Sequence, residues 1–175
     1  MRTTASIAGH PIHVMVVALP IGLWVFSLIC DLILVTGHNP DLWFTVAYIT
    51  MAGGIVGALL AAVFGLIDLM SLPRGHTRNL ALVHMGINLA VVAIFAVNLW
   101  VRTGELQSML LPLGLSVLGI VLLGVSGWIG GELVHVHMVG VDPDAASRKA
   151  VNDHGTAAAR AARDELEQHR REAHE

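Results

Sequence analysis

Charge is the first thing this chain has little of. Asp, Glu, Lys and Arg make up 13% of its 175 residues, where a soluble domain carries about 25%. So little charge cannot give a polar exterior to a chain that is 55% hydrophobic with a mean hydropathy of +0.70, and a soluble all-α protein is set aside on that ground. Cysteine is almost missing as well: Cys30 stands alone, which excludes an intramolecular disulfide and a cysteine-built metal cage. No basic block exists, and the formal net charge is −3, so nucleic acid is not a partner.

What the chain does have is four apolar runs, at about 11–36, 42–70, 77–102 and 109–138. Each is longer than the ~20 residues that cross a hydrocarbon core of ~30 Å at 1.5 Å per residue. The fold class that follows is all-α: an integral membrane four-helix bundle over 9–141 with the lipid bilayer as its solvent. The first run is too long for the apolar core of a signal peptide and has no small-residue cleavage site after it, so it is expected to insert and stay. The polar tail, 142–175, holds eight acids and six bases from Val141 onward. Its Ala-rich end carries the i, i+4 pairs Arg160/Asp164 and Glu167/Arg171, which predicts a short, solvated cytoplasmic C-terminal helix over about 156–172. No internal repeat is evident at the scale of one or two spans.

Arg2, Arg74, Arg78, Arg148 and Lys149 all lie on the side shared by the N-terminus, the second loop and the tail, whereas the first loop has no Lys or Arg and the third only Arg102. The positive-inside rule then puts both termini in the cytoplasm.

Polar side chains are costly in a bilayer, so their depths carry information. His10 and His13 open the first span, and Asp68 closes the second on a face smoothed by Gly54, Gly57, Ala61 and Gly65. His84, with Asn88 one turn above it, lies inside the third span. Glu132, His135 and His137 close the fourth. All eight polar residues fall in the cytoplasmic half. Asp31, Asn98 and Arg102 fall in the outer half, where an Asp31–Arg102 pair is expected to be structural. His38, His76, His154, His169 and His174 are read as solvated, Trp43 and Trp100 as interfacial anchors, and Trp24 and Trp128 as core.

Imidazoles on facing helices of a bundle suit a bis-histidine haem. The predicted function is therefore a membrane-embedded b-type haem protein in electron transfer. The cofactor-binding candidates are His10, His13, His84, His135 and His137; His13, His84 and one of His137 or His135 are the metal ligands. Asp68, Asn88 and Glu132 would support them from a second shell or handle protons. A redox partner protein or a quinone would exchange electrons with it, and a homo-oligomer is compatible with the sequence. The alternatives are a non-haem Fe, Cu or Zn protein, for which Glu132-x-x-His135 is the characteristic i, i+3 pair, and a cofactor-free partner of a respiratory complex.

The stretches "GHPIHVMVVALPIGLWVFSLICDL", "GLIDLM", "LVHMGIN" and "IGGELVHVHMVGV" together resemble the bacterial membrane family known as domain of unknown function 2231, over about residues 9–141. That resemblance implies four spans. It also implies that His137, rather than His135, is the family's closing histidine, although Met138 stands here where the family has Gly. Relatives joined to Rieske-type or cytochrome domains imply electron transfer; the family supplies no agreed activity.

Overall fold

The computed structural model describes residues 6, 7, 10–104, 108–140, 151, 153–155, 160 and 163. The chain forms two compact units, Met1–Gly140 and Val141–Glu175. The first opens with a short antiparallel pair, Ser6–Ile7 (β1) with His10–Pro11 (β2), in which Ile7 faces His10. Four helices follow: Ile12–Leu34 (α1), Pro40–Ser71 (α2), His76–Val101 (α3) and Leu110–His135 (α4). They match the four expected spans, and each is long and apolar enough to cross a bilayer. Only 11–28% of each apolar window is buried within the protein. Leu19, Phe26, Ile49, Val63 and Val121 point outward, as lipid-facing side chains must.

Proline placement sets two of the helix starts. Pro11 is extended (φ −68°, ψ 123°) and precedes α1, so the Gly-His-Pro-Ile-His motif delivers His13 into the first turn. Pro40 occupies the first turn of α2, where its missing N–H has no partner to lose. α2 has 32 residues, roughly 48 Å at 1.5 Å per residue, so it either tilts or projects beyond the hydrocarbon core. Of the predicted tail helix, Arg160 and Arg163 are helical; the rest of it lies outside the described residues.

α1 packs on α2 and α4, and α3 packs on α4 and α2, so α1 and α3 are diagonal partners. They are also counterparts in sequence. His13, Pro20, Trp24, Ser27 and Asp31 recur 71 residues on as His84, Val91, Phe95, Asn98 and Arg102. Ala47, Met51, Gly54, Ala61 and Gly65 of α2 recur 65 residues on as Pro112, Ser116, Gly119, Ser126 and Gly130 of α4. These counterparts do the same work. The Trp24 ring lies over Gly54, and Phe95 lies over Gly119. Ser27 Oγ donates to the Ala47 carbonyl at 2.9 Å, and Asn98 Nδ2 donates to the Pro112 carbonyl at 2.9 Å.

Counterparts also meet each other at matched heights. Trp24 and Phe95 stack with ring centroids 4.4 Å apart and planes 10° from parallel, and Asp31 pairs with Arg102. Two parallel helices that touch through equivalent residues are related by a pseudo-twofold axis running along the bundle. The structure thus corrects the sequence expectation that no repeat exists: α1–α2 and α3–α4 are two copies of one helical hairpin.

The centre of the bundle, Trp24, Met51, Val91, Phe95 and Leu123, is the most tightly fitted part of the fold. A Cβ on Gly54 would collide with Nε1 and Cδ1 of Trp24, and the indole has nowhere to go because Phe95 is stacked on it. Gly54→Ala is therefore expected to cost about 1–3 kcal/mol, the usual penalty of overpacking, read as a lower unfolding temperature in detergent. An unchanged midpoint would mean that the stack slides apart freely.

Candidate functional site

The seven-, four-, three- and four-residue steps from His13 to Asp31, repeated from His84 to Arg102, keep one stripe of each helix toward the axis. The stripe has an ion pair at one end and an imidazole pair at the other. At the ion-pair end, Arg102 Nη1 and Nη2 donate to Asp31 Oδ1 and Oδ2 at 2.8 and 2.7 Å, and Nε donates to Asn98 Oδ1 at 3.1 Å. Ser116 Oγ donates to Asp31 Oδ2 at 2.7 Å and accepts from Asn98 Nδ2 at 2.9 Å. Both charged side chains are fully buried. Every polar group is answered, which is how a structural pair behaves.

At the imidazole end, His13 Nδ1 lies 2.8 Å from the Ala61 carbonyl. A carbonyl only accepts, so Nδ1 carries the proton and Nε2 carries the lone pair. The counterpart does the same: His84 Nδ1 lies 2.9 Å from the Ser126 carbonyl and 3.0 Å from Ser126 Oγ. Each ring rests on a glycine one turn beyond its carbonyl. A Cβ would come within 3.0 Å of His13 Cε1 at Gly65, and within 3.0 Å of His84 Cε1 at Gly130.

The hairpins differ at the remaining nitrogen. Asn88 Nδ2 donates to His84 Nε2 at 3.1 Å and also reaches the His84 carbonyl at 2.9 Å. The counterpart of Asn88 is Val17 and that of Ser126 is Ala61, so no hydrogen bond reaches Nε2 of His13 among the described residues.

The other expected site residues do not gather here. His135 is exposed and turns back to the Gly131 carbonyl of its own helix at 2.9 Å. His137 leaves α4 and meets Thr77 Oγ1 at 3.2 Å through Nδ1, with the His76 ring 5.7 Å away. His76, read from sequence as solvated, thus opens α3 beside His137. His10 pairs through its backbone in β2. Asp68 is buried and Glu132 half-buried, but backbone carbonyls, not these carboxylates, hold Nδ1 of the two rings. Trp128, expected in the core, is 81% exposed and faces the bilayer. Among the described residues no three His, Cys, Asp or Glu side chains converge in a metal-holding group. The feature that sequence reading missed is the Ser126 anchor and its glycine, since a serine and a small residue in a span ordinarily signal helix packing alone.

A family model described as "Predicted membrane protein (DUF2231)" matches residues 9–143, which include every residue of both axial clusters. No curated protein and no solved structure matches the chain.

Proposed function

The chain belongs to the DUF2231 family of predicted membrane proteins, and from that premise we propose that it is a b-type haem protein that carries electrons in the bacterial inner membrane. His13 and His84 would hold the haem in this reading. The observation that carries it is the shared anchoring of the two rings: each imidazole commits Nδ1–H to a backbone carbonyl of the neighbouring helix, the arrangement that metal-ligating histidines use to fix tautomer and aim.

In number and kind, two imidazoles match what a haem asks of a protein. A porphyrin supplies four nitrogens and asks the protein for two, whereas a closed non-haem site takes about four protein ligands. Two equivalent imidazoles would hold one haem per chain. When bound, haem supplies reversible one-electron chemistry. The protein's share would be to fix both rings through the Ala61 and Ser126 carbonyls and to make room for them at Gly65 and Gly130. A quinone or a partner redox protein is the electron source or sink. Both termini are cytoplasmic in this proposal, supported by the arginines at the imidazole end, Arg74 and Arg78.

Full-length protein expressed in haem-replete cells and purified in detergent is expected to show a Soret band and sharp visible bands after dithionite. A preparation with no porphyrin absorbance sinks the haem reading, and elemental analysis of the same sample then tests for Fe, Cu or Zn.

A further inference from the structure

We propose that His76 and His137 form a surface site for a borderline divalent transition metal such as Zn²⁺, a clasp across the open end of the α3–α4 hairpin. The site uses neither His13 nor His84 and does not rest on the haem reading.

The connection from α3 to α4 lies at the ion-pair end of the bundle. At the other end His76, the first residue of α3, meets His137, two residues past the end of α4. The end of α4 is shaped for this meeting. The Glu132 carbonyl accepts from the N–H groups of Val136 and His137 at 2.9 and 3.2 Å, and the Val139 N–H donates to the Leu133 carbonyl at 3.0 Å. That turn puts Met138 in the left-handed region at φ 53°, a costly conformation for a residue with a Cβ. Its effect is to bring His137 back to the start of α3.

Thr77 then fixes the His137 ring, with Oγ1 3.2 Å from Nδ1. In the tautomer that donates Nδ1–H to this hydroxyl, Nε2 keeps its lone pair, and a hydrogen bond at the far nitrogen sets the ring's aim, as it does for metal-ligating histidines. The His76 ring stands with its centroid 5.7 Å away and its plane tilted by 51°. Two imidazoles on one tetrahedral ion, each bonded at about 2.0–2.1 Å, have centroids roughly 5 Å apart. His76 is exposed, so its ring has room to turn and close the difference. Two neutral ring nitrogens suit Zn²⁺, Ni²⁺ or Cu²⁺, whereas Mg²⁺ and Ca²⁺ ask for oxygen. No third His, Cys, Asp or Glu joins the pair among the described residues, so water completes the shell and the ion is exchangeable.

The test is zinc chloride titrated into full-length protein in detergent against a chromophoric chelator, with the unfolding midpoint followed in parallel. In the parent, the tightest-bound Zn²⁺ is expected to raise the midpoint, because an ion held by the folded hairpin stabilises it. His76→Ala and His137→Ala are each expected to weaken that binding at least about tenfold and to abolish the rise. The double variant should lose no more than either single one, since one imidazole alone is no chelate. His154, His169 and His174 remain in every variant, so the differences belong to the clasp. His13→Ala is expected to keep the parent's zinc affinity. Parent-like affinity in either His76→Ala or His137→Ala overturns the clasp, as does an equal rise in midpoint with magnesium chloride. Loss of zinc in His13→Ala without loss in His76→Ala overturns it as well, by moving the ion to the axial pair.

Discussion

Replacing Arg102 by leucine is expected to cost about 3–5 kcal/mol, the loss seen when one partner of a buried ion pair is removed, enough to leave little folded protein in detergent. The cause is what stays behind. Asp31 would keep its place at the axis with one donor, Ser116 Oγ, in place of the bidentate fork, and a buried carboxylate without its cation is costly. Replacing both partners, Asp31→Leu with Arg102→Leu, is expected to recover most of the loss. Apolar side chains of similar size carry no desolvation penalty, and Ser116 can turn its hydroxyl back to the Pro112 carbonyl four residues earlier. The exchanged pair, Asp31→Arg with Arg102→Asp, should fall between these two. The axis lets the charges trade places, but the bonds from Ser116 and Asn98 are built for one orientation only. Unfolding midpoints of the four proteins, with the monodisperse fraction on size exclusion, rank them. If the double leucine variant is as unstable as Arg102→Leu alone, the pair's contribution is not what holds this end of the bundle together.

Much of this end was legible in the sequence, because charge in a span is rare enough to be read singly. The four helices, the Asp31–Arg102 pair, the depth of His84 and the Asn88 above it all followed from counting along apolar runs. The hairpin repeat did not. Its identities at the axis are few, chiefly His13/His84, Gly54/Gly119 and Gly65/Gly130, while the remaining counterparts keep a role and change the residue: Trp24 for Phe95, Ser27 for Asn98, Asp31 for Arg102. Stacking, carbonyl bonding and ion pairing are visible only once the backbone brings counterparts together. Trp128 failed for a different reason. In water a large apolar ring signals the core, but in lipid the outside is as apolar as the inside, so hydrophobicity no longer sorts faces. The closing histidines failed through geometry at a helix end. His135 closes α4, Met138 is left-handed with φ 53°, and the turn carries His137 to Thr77 rather than to the axis.

Under the proposed haem reading, changing His13 to alanine is expected to weaken haem binding at least about tenfold, roughly 1.4 kcal/mol, while His84→Ala weakens it less. The two variants are matched controls for each other, because each deletes the same side chain from the same turn of an equivalent helix. Neither deletion touches the Trp24–Phe95 stack or the Asp31–Arg102 pair, so the fold should survive both, with circular dichroism and unfolding midpoints near the parent's. Any difference in haem content then reports the environments of the two rings: His13 Nε2 without a hydrogen bond among the described residues, His84 held by Asn88 and Ser126. Haem-to-protein ratios from the Soret and 280 nm absorbances decide the matter. Equal loss in both variants would make the histidines interchangeable, and a greater loss in His84→Ala would reverse their roles. Full haem content in both would mean that His13 and His84 serve the fold and that a haem is held elsewhere.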